Sequence, residues 1–241
     1  MSDIFARTRL LFGDEALQKL SEARVALFGV GGVGGYAAEA LARSGIGAID
    51  IIDSDTVAES NINRQIIALH STVGMYKTDA AAARIHDINP DCKVTGHKIF
   101  FLPENKELLD FRQFDYVIDA IDTVSGKLAV IECARAAGVP VISSMGTGNK
   151  TDPSRLTVAD IFETSVCPLA RVMRHECRKR GIDKLKVVYS TEEPRTPQKT
   201  ETSANGKPVP GSTAFVPPTA GLLIASEVVR YLTEGAQNER S

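Results

Sequence analysis

Three glycines, Gly29, Gly31 and Gly34, follow the apolar run RVALF and precede an alanine-rich stretch, a second apolar run and Asp53. Glycine at these places lets backbone N–H groups reach phosphate oxygens with no Cβ in the way, at the positive end of a following helix. Gly32 lies in the same loop. An acidic side chain at the end of the second run stands near the offset at which a carboxylate holds ribose hydroxyls. The pattern predicts a nucleotide cradle. It does not choose between a nicotinamide dinucleotide and ATP.

Residues farther along the chain bear on that choice. Hydride transfer asks for an acid or base such as His or a Tyr-Lys pair beside the donor ring, whereas nucleotidyl transfer needs cations and a metal around three phosphates. The chain offers the second set: Asp55, Asn61, Arg64 and Gln65 in the stretch after Asp53, Lys77 at the start of a helical pattern, and Asp122 after the run DYVIDA. Singly, these read as a solvated loop charge, a surface lysine and a helix N-cap. Jointly they fall just beyond the carboxyl ends of strands, where open α/β sheets bind ligands. Arg64, Lys77 and Asp122 are the candidate catalytic residues.

Positioning them requires a doubly wound sheet. Helical patterns over 4–11 and 14–20 precede a buried strand over 24–29, a helix over 34–43 and a strand over 48–52, which make a βαβ unit with parallel pairing. Residues 54–75 lack periodicity and read as a long, polar, functional connection. A helix over 77–88, strands near 92–97 and 115–120, a helix over 124–137 and a strand over 139–143 continue the alternation. The fold class is α/β, a Rossmann-like, mostly parallel doubly wound sheet, with a nucleotide-binding core over about 22–150 and a C-terminal α/β extension over about 151–241. In the extension, strands over 155–161 and 185–190 flank a basic helix over 167–180, and Pro217-Pro218 opens a helix through 232. Residues 193–213, rich in Pro, Thr, Ser and Lys, read as a loose segment that substrate would order. The whole chain reads as a single domain.

The 28 basic and 30 acidic residues leave a formal charge of -2, so a polyanion would be gripped by a local patch rather than a whole-protein field. No secretory pattern opens the chain and no uncharged apolar run suits a membrane span, which predicts a cytoplasmic protein. Cys92, Cys133, Cys167 and Cys177 form no C-x-x-C pair, and the four histidines lack ligand spacing, so no structural zinc is expected.

These stretches together resemble the MoeB/ThiF family of ubiquitin-activating-enzyme-like adenylyltransferases: GVGGVG at 29–34, DSDTV at 53–57, SNINRQ at 60–65, Lys77, and VIDAID at 117–122. The resemblance implies that Asp53 holds a ribose, that Asn61, Arg64 and Lys77 contact phosphates, and that Asp122 organises Mg2+. In the family an arginine is commonly lent by a partner subunit, which implies a homodimer. The likeness extends over nearly the whole chain to one branch, the tRNA threonylcarbamoyladenosine dehydratases, through LARSGIG at 41–47, NRQI at 63–66, DINP at 87–90, SMG at 144–146, KTDP at 150–153 and AFVPP at 214–218. It implies an ATP-dependent closure of threonylcarbamoyladenosine at tRNA adenosine 37, through adenylation of a carboxylate and intramolecular attack. Such chemistry needs no enzyme nucleophile. Relatives that work with sulfur-handling partners carry a cysteine shortly before the C-terminal helix; here the stretch reads PGSTA at 210–214, which argues against such a partner.

A tRNA needs phosphate contacts. Between 171 and 186 seven Lys or Arg stand against two acids, and Arg171, Arg174 and Arg178 recur at helical offsets, with Lys179 adjoining. Leu169, Val172, Met173 and Cys177 are expected to face the core. Arg195, Lys199 and Lys207 are secondary candidates. Three other functions compete: an adenylyltransferase for a ubiquitin-like sulfur carrier, disfavoured by the missing zinc pairs; an NAD-dependent oxidoreductase, resting on the glycines alone; and a nucleotide-sensing module, which would not need Asp122.

Overall fold

The computed structural model describes residues 3–199, 201, 202, 206 and 208–234. Seven strands form one sheet: β1 (Arg24–Phe28), β2 (Ala48–Ile52), β3 (Lys93–His97), β4 (Tyr116–Asp119), β5 (Val141–Ser144), β6 (Leu156–Asp160) and β7 (Lys186–Ser190). Their order is β3-β2-β1-β4-β5-β7-β6, parallel throughout except for β6, which runs antiparallel to β7. The central strands are apolar along their length because helices cover both faces: Val25, Ala26, Leu27 and Phe28 are all fully buried. Each large side chain so buried contributes about 1.5–3 kcal/mol.

Six helices supply that cover: α1 (Ala6–Glu22), α2 (Gly34–Ser44), α3 (Lys77–Ile88), α4 (Val124–Ala137), α5 (Pro168–Lys179) and α6 (Val216–Glu234). The two N-terminal helical patterns join into α1 across Gly13, whose φ of 81° breaks the helical path. Leu20, Leu41, Ile224 and Val228 pack with Val25 and Leu27 in the main core. On the other face Phe28 meets Phe101 edge-on at 4.8 Å and stacks on Phe111 at 5.4 Å, under α4. A third cluster joins α5 to β7 through Met173, Cys177 and Val187. Val172 departs from expectation and is 45% exposed. The buried stripe runs through Ala170, Met173 and Cys177, and Val172 sits about 100° from Met173 around the helix.

Strand order reverses at β1, which pairs with β2 on one side and β4 on the other. At this switch point the chains leaving β1 and β4 part and open a crevice beyond the carboxyl ends of the strands. Among the described residues no helix is long and apolar enough to cross a membrane.

Candidate active site

The crevice holds a cavity of about 550 Å³ lined by the loop after β1, the ends of β2 and β4, and the turn after β5. Gly29 turns the chain out of β1 at φ 87°, and a Cβ there would lie 2.6 Å from the Ala120 carbonyl oxygen. Gly31 and Gly32 line the cavity, whereas Gly34 does not; a Cβ on Gly34 would strike the Gly29 carbonyl oxygen at 1.9 Å. Gly31 and Gly32 are thus exposed to a ligand, and Gly34 serves close packing of helix on strand. Asp53 braces the cradle by accepting from the backbone N–H groups of Val30 and Asp55, each at 2.9 Å.

Lys77 opens α3 and is buried, with its Nζ 2.7 Å from an Asp55 carboxylate oxygen. The Asp55 side chain is 64% exposed, so the pair stands at the cavity edge with the lysine inside. Arg64 lines the same cavity of its own chain, its guanidinium donating to the Ser60 carbonyl at 3.0 Å and the Asn63 side-chain oxygen at 2.8 Å. Gln65 is buried beside Gly31, and its Oε1 has no hydrogen-bond partner among the described residues. An orphaned buried acceptor on a cavity wall is expected where a bound molecule supplies the missing donor. Asp122 is exposed on the cavity wall, and its carboxylate has no protein partner among the described residues. Asn61 does not line the cavity; its side-chain oxygen accepts from the Ala58 N–H at 3.1 Å and fixes the short 3-10 turn Glu59–Asn61.

The C-terminal part of the chain completes the walls. Met145, Lys150, Cys167, Leu169, Pro194, Val209 and Pro210 also line the cavity. Asn149, at φ 58°, pins two segments of the C-terminal part: its carbonyl accepts from the Arg195 N–H at 2.8 Å, and its side chain accepts from the Gly211 N–H at 2.7 Å. Lys207 lies outside the described residues. Neither Lys150 nor Cys167 is marked by the glycine-loop motif; the available signal was a lysine within a Gly-rich turn at the carboxyl end of a strand. Beneath the floor, Lys127 donates to Asp119 at 3.0 Å and to the Ser144 carbonyl at 2.7 Å, with both charged side chains fully buried.

On α5, Arg171 is exposed, and its guanidinium has no partner among the described residues. Arg174 donates to the Thr164 carbonyl at 2.8 Å and to the Thr164 hydroxyl. Arg178 lies 5.2 Å over the Phe162 ring, and Lys179 pairs with Glu176 at 3.3 Å. Burial pushes the Cys92 thiol up to about 11 and raises Cys133 and Cys177 as well. These three are poor nucleophiles at neutral pH.

The model of the ThiF family matches residues 5–241. The chain belongs to the ThiF family. A tRNA threonylcarbamoyladenosine dehydratase of Bacillus subtilis is 44% identical over 98% of this chain and 97% of its own length. The crystal structure of the Escherichia coli tRNA N6-threonylcarbamoyladenosine dehydratase in complex with ATP superposes with a TM-score of 0.88 at 36% identity, covering 98% of this chain and 96% of that one. An adenylyltransferase and sulfurtransferase of Vanderwaltozyma polyspora is 38% identical, but over 57% of this chain and 31% of its own length. The likeness to the first two takes in the cradle and also the later segments that line the cavity.

Proposed function

We propose that this ThiF-family chain is an ATP-dependent tRNA threonylcarbamoyladenosine dehydratase. The observation that carries the reading is the convergence of the glycine cradle, Asp53, Arg64, Lys77 and Asp122 on one cavity at the switch point, in a fold shared end to end with proteins of that name. Asp53 stands where a ribose would lie, and Gly31 and Gly32 offer backbone N–H groups to phosphate. Lys77, held by Asp55, is placed to shift onto phosphate oxygens, with Arg64 as the second cation. The sulfur-carrier alternative is disfavoured, since its relative matches little beyond half of this chain.

The donor set also fits Mg2+. Asp122 and Asp55 present carboxylates at the cavity, and magnesium in nucleotide sites is held by one or two carboxylates with phosphate oxygens and water. Bound there, the ion would neutralise phosphate charge. The reaction balances without an enzyme nucleophile. A threonyl carboxylate oxygen bonds to the α-phosphorus and pyrophosphate leaves; the carbamoyl oxygen then bonds to the acyl carbon, the acyl–AMP bond breaks, and a urea nitrogen gives up its proton. Counted from the free acid, the oxygen of the lost water departs in AMP and its two hydrogens depart as the ionised carboxyl proton and that urea proton. Exposed residues of α5, Arg171 first, are proposed to meet tRNA phosphates in the cytoplasm. A second copy of the chain is proposed to cover Leu10 and Leu11 of α1, which are 86% and 85% exposed.

Incubation with ATP, magnesium and tRNA bearing the modified nucleoside, followed by nucleoside mass spectrometry, is expected to show loss of one water. Lys77→Ala and Asp122→Ala are each expected to cut pyrophosphate release by about 10²- to 10³-fold with the fold retained. Unchanged turnover in both would remove the mechanism.

A further inference from the structure

Lys150 is 2% exposed and lines the cavity from the turn after β5, two strands over from β1, whose exit carries the glycine cradle. Its Nζ donates to the Gly146 carbonyl at 3.0 Å and, at the limit of a hydrogen bond, to the Ser190 carbonyl at 3.5 Å. An ammonium has three N–H groups, so one remains to be used. No carboxylate pairs with it among the described residues. Glu192, whose charge reaches it, spends its own oxygens on the N–H groups of Thr151 and Asp152 and on the Thr151 hydroxyl. Burial lowers the pKa of the Lys150 amine from the ordinary lysine value, against the opposing influence of Cys167 and Glu192. A buried ammonium without a counter-ion is costly, and the cost is relieved when an anion arrives beside it.

The phosphates have Lys77 and Arg64 on the cradle side. The second anion that the proposed reaction brings into this cavity is the acid to be activated, which must approach the α-phosphate from outside the cradle. We infer that Lys150 anchors the free carboxylate of the threonylcarbamoyl group, its spare N–H and its charge holding one oxygen while the other attacks. This rests on the functional reading above. It makes Lys150 a specificity residue for an acidic substrate, distinct from the cations that hold nucleotide.

The test compares wild type, Lys150→Met and Lys150→Arg as full chains, with ATP and tRNA bearing threonylcarbamoyladenosine. Lys150→Met is expected to lower kcat/KM for the tRNA about 10- to 100-fold, the span of a hydrogen bond to a charged group, while the ATP dissociation constant moves by less than about twofold. Lys150→Arg is expected to recover part of the loss. The wild-type kcat/KM should fall on the alkaline side, earlier than an ordinary lysine would dictate, because the amine must carry its proton to hold a carboxylate and burial makes it release that proton sooner. The always-charged arginine variant should lack that limb. Should Lys150→Met fail to fold by circular dichroism, Lys150→Gln, which keeps a donor and drops the charge, takes its place and is expected to fall between. An unchanged kcat/KM in the uncharged variants, an equal loss of ATP affinity, or a rate that rises with pH would overturn the anchor. Wild type that removes no water from the nucleoside would remove the functional reading together with it; a working wild type beside an unimpaired Lys150→Met removes the anchor alone.

Discussion

Of the three lysines buried at the carboxyl-end region of the sheet, the two most enclosed, Lys127 and Lys150, differ in what surrounds them. Lys127, from α4, reaches under the cavity floor to Asp119 at 3.0 Å, the Ser143 hydroxyl at 3.3 Å and the Ser144 carbonyl at 2.7 Å, so all three of its N–H groups and its charge are met by the protein. Lys150, in the turn after β5, has two carbonyl oxygens and, among the described residues, no counter-ion. The contrast separates groups that folding completes from groups that a ligand must complete. The same division runs through the site: Gly34 against Gly31, and Asp119 against Asp122. Residues of the first kind should govern stability, and those of the second kind affinity and turnover.

Substitution of the two lysines is the strongest way to break that division. Lys127→Met leaves the Asp119 carboxylate buried with the Ser143 hydroxyl and the Ile121 N–H as its remaining partners, and is expected to cost about 3–5 kcal/mol. Lys150→Met removes two hydrogen bonds to carbonyl groups and no ion pair, and should shift stability by about 1 kcal/mol in either direction. Urea denaturation of both variants measures the difference. Equal losses would mean that Lys150 is as structural as Lys127.

Gly34 and Gly31 test the division at the cradle with a smaller expected effect. Gly34→Ala forces a Cβ onto the backbone at 1.9 Å, which neither the loop nor β1 can yield without shifting, and should cost about 3 kcal/mol. Gly31→Ala meets nothing nearer than Gln65 Nε2 at 3.7 Å. It should melt close to wild type yet bind ATP more weakly, because the new methyl stands on a cavity wall. A thermal melt and a nucleotide titration on each variant read the two effects separately; loss of ATP binding in neither would deny the cradle its ligand.

The elements are largely legible in the sequence, and the division between groups completed by folding and groups completed by a ligand is not. The apolar runs at β1, β2 and β4 and the glycines that punctuate them report local requirements, burial on both faces and a tight exit from a strand, which one stretch of chain expresses by itself. Lys77 and Asp122 were legible as cations and acids beyond strand ends. The pairing of Lys127 with Asp119 is hidden because it joins the first turn of a helix to the last residue of a strand, in runs apolar enough to read as plain core. Lys150 was visible as part of a family resemblance but without a role, since its isolation depends on Glu192 being spent on Thr151 and Asp152, forty residues away in the chain. Asn61 illustrates the converse: the family resemblance implies a phosphate contact, and the turn that its side-chain oxygen closes is legible only in the structure.

The smallest effect is expected on α5, where the proposed tRNA face divides in the same manner. Arg174 is committed to Thr164 and Arg178 to the Phe162 ring, so both are partly completed by the protein; Arg171 is exposed and, among the described residues, uncommitted. A phosphate contact reveals itself through counterion release, and losing one lowers the slope of log affinity against log salt by about 1. Arg171→Ala should produce that change in tRNA binding while leaving stability within about 0.5 kcal/mol of wild type, as for other surface substitutions. Arg174→Ala should do the opposite, loosening the turn that carries Thr164 with little effect on the slope. A salt titration of tRNA binding paired with a urea curve distinguishes them. If Arg174 rather than Arg171 sets the slope, the guanidinium must leave Thr164 to reach the nucleic acid, and internal completion would not predict function on this helix.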